Sequence, residues 1–517
     1  MARGGALSLV GAAVSAATGV LVVLAITRSL QQETAGIFFA LTSIFLIGEM
    51  VARLGTGTGL VWAISRARAL GQLGRVPDFL RVALTPVVAL AVVMAVVLFV
   101  AAPDLSTLVA GERSSEVTTA VRILAVLLPL TTLSDTLVSA TRGYSTVRPT
   151  VLLDKAGRPL LQLLAVVAVV GGAGSVAAVS AAWAAPWVVS AVLAGCWLHR
   201  LHRAATRPAG VTGEPVTSRA TGVWREFWAF TGPRAVTSVV QLALQRLDII
   251  LLTLLAGPAQ AAIYTAATRF LVVGQFANQA LTSVVEPRLA RLLALGDRRT
   301  AQDVYRTATG WLVLLCWPFY LVFATYAAAV LDWFGTGYDA GWPVVLILAA
   351  TMLLATAVGM VDVVLIMGGR TSWNLANSLT ALVVNVAVDV ALIPHLGMLG
   401  AALGWAAAIM VNNLLPLTQI WRSLRLHPFG PGTLLAMALS LGCFGVPALI
   451  ARWIGGETVY AVLAGTVVGA ALFVLGCARW RRVLALDALA GLRRSSARTA
   501  RAAGPDGHQP GQVDSDD

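Results

Sequence analysis

The alternation of apolar and polar positions sets the first expectation. Apolar runs of about 20 residues, the length needed to cross the hydrocarbon of a bilayer, recur from one end of the chain to the other. They predict fourteen helices, at about 6–27, 36–63, 82–102, 117–140, 150–170, 175–198, 232–256, 260–286, 308–331, 343–368, 372–393, 397–420, 432–452 and 458–478. The expected fold class is an all-α polytopic membrane protein. The first run is too long for a signal-peptide core and lacks an obvious cleavage site, so it counts as a helix.

Polar positions inside these runs fall into stripes. In the seventh segment, "QLALQRLDIILLTLLAG" (Gln241 to Gly257), Gln241, Gln245 and Asp248 lie within about 60° of one another. Arg246 projects about 100° from Gln245, so Asp248 is expected to pair with an arginine on another helix, such as Arg53 or Arg269. The eighth segment carries Gln275, Asn278, Gln279 and Thr282, with Arg269 above them. The eleventh carries Thr371, Asn374, Ser378, Asn385 and Asp389 on one face. In the second, Glu49 and Arg53 stand four apart with the acid first, the favourable order for an ion pair. Arg122 and Asp135 lie in the fourth segment and Asp362 in the tenth.

A charge near the bilayer centre costs about 2.5–3.5 kcal/mol on insertion scales. An interhelical hydrogen bond returns only about 0.6 kcal/mol on average. Knitting helices together accounts for any single Asn or Gln. Stripes on several helices in both halves instead imply a wet interior with functional ionisable groups. Arg53, Arg246, Arg269 and Arg122 are expected to face a common cavity and contact an anion, because the planar guanidinium suits phosphate. Glu49, Asp248 and Asp389 would balance charge or carry a coupling ion. Gln241, Gln245, Gln275, Asn278, Gln279, Asn374, Ser378 and Asn385 would line the cavity.

The halves resemble each other. "AGIF" (Ala35 to Phe38) precedes the second segment and "AAIY" (Ala261 to Tyr264) opens the eighth, while "AWAA" (Ala182 to Ala185) answers "GWAA" (Gly404 to Ala407). The predicted organisation is a six-helix lobe at 1–200, a linker at 201–229, a second six-helix lobe at 230–428, extra helices at 429–480 and a tail at 481–517, disordered beyond about Arg494. Six is an even number, so the copies share one orientation and their pseudo-twofold axis runs along the membrane normal.

Composition narrows the classes. Charged residues make up 12% of the 517 positions, against roughly 25% in soluble domains. Most of the 37 Lys and Arg fall in loops on one side, which puts both termini in the cytoplasm. The net charge of +13 then reflects topology, not nucleic-acid binding. Cys196, Cys316, Cys443 and Cys477 lie in apolar segments at no metal-like spacing, so neither a disulfide framework nor a metal site is expected. "GTGTG" (Gly55 to Gly59) has no strand before it and reads as close helix packing, not a phosphate loop.

The second half carries "LQRLDIILLTLLAG" with "AIYTAATRF", then "EPRLARLLALGD", then "GRTSWNLANSLTALVVNVAVDVALIPHLGMLGAALGWA" (Gly369 to Ala406). Through these stretches it resembles the polysaccharide, or O-antigen-type, flippases of the multidrug/oligosaccharidyl-lipid/polysaccharide (MOP) superfamily. The first half is similar more loosely, through "ETAGIFFALTSIFLIGEM" (Glu33 to Met50). The resemblance implies MATE-like lobes around a central cavity and alternating access. It also implies export of a polyprenyl-diphosphate-linked glycan across the plasma membrane, beside glycan polymerases or glycosyltransferases of the same pathway. No cofactor is expected other than a coupling proton or sodium ion.

Rival readings differ in their cargo. A multidrug antiporter usually moves cations and would want an acidic cavity, against the four intramembrane arginines. A lipid II flippase carries another polyprenyl diphosphate and fits equally well. A membrane glycan polymerase needs catalytic groups on a large outer loop, and the longest outer loop here offers only Asp104, Glu112 and Glu116. No enzyme activity is expected.

Overall fold

A computed structural model describes residues 2–112, 114–172, 174–206, 220–456 and 458–487. Among these, secondary structure is helical throughout. The helices are α1 (Ala2–Ser29), α2 (Gln32–Arg53), α3 (Thr56–Ala69), α4 (Val76–Val100), α5 (Ala102–Ala110), α6 (Ser115–Arg142), α7 (Arg158–Val170), α8 (Val176–Ala184), α9 (Pro186–Thr206) and α10 (Ala220–Ala256). They continue as α11 (Pro258–Ala267), α12 (Leu271–Ala294), α13 (Arg298–Thr325), α14 (Ala327–Asp332), α15 (Trp342–Val358), α16 (Val361–Met367), α17 (Thr371–Leu396), α18 (Met398–Leu424), α19 (Pro431–Ser440), α20 (Val446–Gly455) and α21 (Val459–Arg479). A π-helical stretch, Thr150–Gly157, runs straight into α7.

Twelve stretches among the described residues are long and apolar enough to cross a membrane. This makes the chain a multi-pass membrane protein, but the expected count of fourteen is not reproduced. The two segments outside that set, 150–170 and 260–286, are helical yet too polar. Asp154, Lys155 and Arg158 crowd the first, and Gln275, Asn278 and Gln279 dilute the second.

Several expected helices are broken. The second divides into α2 and α3 at Leu54 and Gly55, both left-handed, with φ of 50° and 70°. The eighth divides into α11 and α12 at Thr268 to Phe270, and the tenth into α15 and α16 at Gly359. The expected 201–229 linker is partly helical, because α9 runs to Thr206 and α10 starts at Ala220. The expected disorder beyond Arg494 lies outside the described residues.

Helices α1 to α9 pack as one group around α6, and α10 to α18 as another around α13, α17 and α18. Along one side the groups meet through α2, α3, α10 and α11. Small residues allow this approach. A Cβ on Gly36, in the "AGIF" motif, would lie 1.7 Å from the Pro258 carbonyl oxygen. The "GTGTG" glycines do pack helices. A Cβ on Gly55 would come within 2.7 Å of the Ala235 backbone nitrogen, and one on Gly59 within 2.2 Å of Thr231 Oγ1.

That contact continues along α3 and the first turns of α10. Trp62 stacks on Phe230 at 4.4 Å between ring centroids, and Glu226 pairs with Arg66 at 3.0 Å and Arg75 at 3.1 Å. Helices α19 to α21 are stapled to α13. Tyr326 donates to the carbonyls of Ala448 and Ala461, and Trp311 Nε1 to that of Leu484, all at 3.1 Å.

Candidate functional site

Helix breaks place two of the expected arginines. A helix end frees carbonyl oxygens, and a cation nearby is favourable there. Arg269 stands in the gap between α11 and α12, where its Nε donates to the freed Thr265 carbonyl at 3.0 Å. Arg53 is the last residue of α2, and its own carbonyl accepts from Thr56 Oγ1 at 2.7 Å.

Arg269 lies where three cavities meet. One, of ≈ 190 Å³, includes Gln245, Arg246, Asp248, Tyr264 and Trp405 in its wall. A second, of ≈ 260 Å³, lies against α1 and is walled by Ser15, Lys155, Phe276 and Gln279 among others. The third, of ≈ 430 Å³, is lined almost wholly by apolar groups of α1, α11 and α13 to α15, including Leu21, Phe319, Phe323 and Trp333. Arg246 and Arg269 therefore share a cavity, and among the described residues no carboxylate lies within ion-pairing distance of either. A cavity with two unpaired guanidinium groups favours an anion.

Asp248 is not the counter-ion expected for an arginine. Its Oδ2 accepts from the Tyr264 hydroxyl at 2.8 Å, and its carboxyl is a neighbour of Asn385 and Asp389 on α17. Asn385 Nδ2 donates to Asp389 Oδ2 at 3.3 Å. The i,i+2 offset keeps Asp248 and Arg246 on different faces of α10: the Asp248 carboxylate meets Tyr264 of α11, although both residues line the same cavity. Gly404 makes room for the cluster, since a Cβ there would lie 1.9 Å from Asp389 Oδ1. This accounts for a glycine in the "GWAA" motif.

Arg53 is held elsewhere, in a ladder within the first group. It pairs with Glu49 at 3.4 Å and Asp135 at 3.6 Å. Asp135 also binds Arg158 at 3.0 Å, and Arg158 binds Asp154 at 2.7 Å. Arg158 packs 4.5 Å from the centroid of the Trp187 ring. The i,i+4 pair was legible in the sequence, but its extension needed the fold to bring Asp135 and Arg158 alongside.

Arg122 joins neither group. It is exposed and packs over Phe99, 5.0 Å from the ring centroid. Gln241 and Asn278 are exposed on α10 and α12, and the Gln275 side chain lies outside the described residues. Asn374 and Ser378 are buried, and Ser378 donates to Asn412 Oδ1 at 3.4 Å. Next to them Asn377 and Gln419 exchange hydrogen bonds of 2.8 and 2.9 Å, so this end of the stripe ties α17 to α18. The sequence reading missed Tyr264, Arg158 and Lys155. Only Lys155 carried a signal, as the single lysine in the chain.

The comparisons with known proteins agree with this architecture. A family described as "Polysaccharide biosynthesis protein" matches residues 1–293. That range covers the first group and the seventh and eighth expected segments, while the Gly369 to Ala406 stretch lies beyond it. None of the curated proteins matches. Among solved structures the chain is similar to the lipid II flippase MurJ in an inward closed conformation, with a TM-score of 0.70 at 11% identity, covering 92% of this chain and 99% of that one. It is also similar to an inward-facing multidrug resistance MATE family transporter of the MOP superfamily, at 0.61 and 16%, covering 80% of this chain and 95% of that one. A third is a MOP superfamily transporter from Pyrococcus furiosus with a binding pocket of reverse polarity, at 0.52 and 16%, covering 82% and 96%. The chain belongs to the polysaccharide biosynthesis protein family and has the fold shared by MurJ and the MATE transporters of the MOP superfamily.

Proposed function

We propose that the protein is a flippase that moves a polyprenyl-diphosphate-linked oligosaccharide from the inner to the outer leaflet of the plasma membrane by alternating access. The observation that carries this reading is the position of Arg269, between cavities with polar walls and a larger apolar one. A lipid-linked glycan has the same division. Its anionic head and sugars need a wet, cationic chamber, while its isoprenoid tail is stable against apolar side chains. Arg246 and Arg269 bind the diphosphate in this reading, and Arg53 works from the ladder that neutralises it. Both termini are cytoplasmic, with the arginine-rich face inward. The protein acts on its cargo by moving it, without covalent chemistry.

The cluster of Asp248, Asp389, Asn385 and Tyr264 is the proposed site of a coupling proton or sodium ion. Two neighbouring buried carboxyls are relieved by a proton or a cation. The oxygens Asp248 Oδ1, Asn385 Oδ1 and Asp389 Oδ1 are buried without a hydrogen-bond donor among the described residues.

The likeness to the lipid II flippase over nearly its whole length supports a second reading, in which the cargo is lipid II. Proteoliposomes holding the full chain and equal amounts of a polyprenyl-diphosphate oligosaccharide and of lipid II separate the two. Preferential flipping of the oligosaccharide supports the first reading, preferential flipping of lipid II supports the second, and flipping of neither contradicts both.

A further inference from the structure

The chain has 37 Lys and Arg, of which 36 are arginine. Its one lysine, Lys155, lies in the π-helical stretch Thr150–Gly157. Wide turns of this kind occur mostly as local features at functional sites. Here the turn separates two neighbouring charges. Asp154 reaches Arg158 at 2.7 Å and joins the ladder, whereas Lys155 lines the ≈ 260 Å³ cavity against α1. The approach of α1 is close. A Cβ on Gly11 would lie 2.7 Å from Val151 Cγ1 and 3.2 Å from Lys155 Cβ.

Lys155 and Arg269 are the two cationic residues of that cavity, one from each helical group. Among the described residues no carboxylate lies within ion-pairing distance of either, and Asp154 is already taken by Arg158. Arg269 presents a flat fork suited to one phosphoryl group, held by its bonds to Thr265 and Thr268. Lysine offers a compact ammonium on a flexible stem, which can follow a second phosphoryl group without a fixed angle. Ser15 and Gln279 add neutral hydrogen-bonding groups to the same wall.

We propose that Lys155 is a third anion anchor beside Arg246 and Arg269: the two arginines hold one phosphoryl group of a lipid diphosphate, and Lys155 reaches the other across the cavity it shares with Arg269. This rests on the flippase reading and goes beyond it, because it assigns the preference for a diphosphate over a monophosphate to Lys155. One phosphoryl group satisfies the arginines alone, and two are needed to bridge the helical groups.

The test uses the full chain in nanodiscs, with a polyprenyl diphosphate and the monophosphate of the same polyprenol as probes. Lys155→Met should weaken diphosphate binding by about tenfold, the loss of one charge-assisted contact, while monophosphate binding stays within about twofold. Lys155→Arg should recover most of the loss. Because Lys155 is the one side-chain amine, an amine-reactive reagent followed by peptide mapping reads its exposure in the unaltered protein. Saturating polyprenyl diphosphate should protect it, and the uncharged polyprenol should not. The assignment is overturned if Lys155→Met keeps the wild-type preference for diphosphate. It is equally overturned if Lys155 never reacts, or reacts at the same rate with bound diphosphate. Wild-type protein that binds neither lipid would overturn the flippase reading itself, a result distinct from either of these.

Discussion

The Tyr264 hydroxyl donates to the Asp248 carboxylate at 2.8 Å, beside the buried Asp389 and Asn385 of α17. The acid of the seventh segment is thus held by a tyrosine beside another acid, while Arg246, two residues before it, lines the same cavity without an acidic partner among the described residues.

If that acid cluster takes the coupling ion, its loss should uncouple transport without abolishing the fold. Asp389→Asn should remove the dependence of flipping on a sodium or proton gradient while the protein stays in the membrane. Gly404→Ala should act in the same way, because a methyl group there occupies the place of Asp389 Oδ1. Gradient-driven flipping in proteoliposomes measures both, and unchanged gradient dependence in Asp389→Asn would remove the cluster from the mechanism.

Asp135 is the shared acceptor of Arg53 and Arg158. Asp135→Asn should cost about 3 kcal/mol of stability, the lower end for breaking a buried ion pair, since these side chains keep some exposure. Replacing Arg122, which stands over Phe99 outside the ladder, should cost less than about 1 kcal/mol. Thermal unfolding in detergent compares the two, and equal losses would argue against the ladder as a structural unit.

Trp62 and Phe230 stack where α3 meets the start of α10, beside the pairs that Glu226 makes with Arg66 and Arg75. In the proposed alternating access, this contact parts when the cavity opens on that side. Cysteines in place of Trp62 and Phe230, with the four native cysteines replaced by serine, should cross-link readily and stop flipping until reduced. Full flipping by the cross-linked protein would show that the contact stays closed throughout the cycle.

Much of this was legible from residue spacing. The apolar runs located most helices, and the i,i+4 relation of Glu49 and Arg53 anticipated their ion pair. Periodicity cannot say which way a stripe turns. It grouped Gln245 with Asp248, yet could not show that Asp248 meets Tyr264, sixteen residues away in sequence and on the next helix. Nor did apolarity mark the breaks at Leu54 to Gly55 and Thr268 to Phe270, which depend on backbone angles and close packing. Segments that line a cavity are less apolar for the reason that makes them useful, and spacing alone does not separate 150–170, with Lys155, from an ordinary span.

The central claim is that Arg246 and Arg269 recognise the diphosphate of a lipid-linked glycan. Flipping of a fluorescent polyprenyl-diphosphate oligosaccharide in proteoliposomes tests it most directly, with wild type, Arg246→Lys and Arg269→Lys reconstituted at equal density. Lysine keeps the charge and loses the planar fork, so the account predicts that each substitution slows flipping by about tenfold, the loss of a charge-assisted hydrogen bond. Wild-type rates in both lysine variants, or no flipping of this lipid by the wild type, would contradict it.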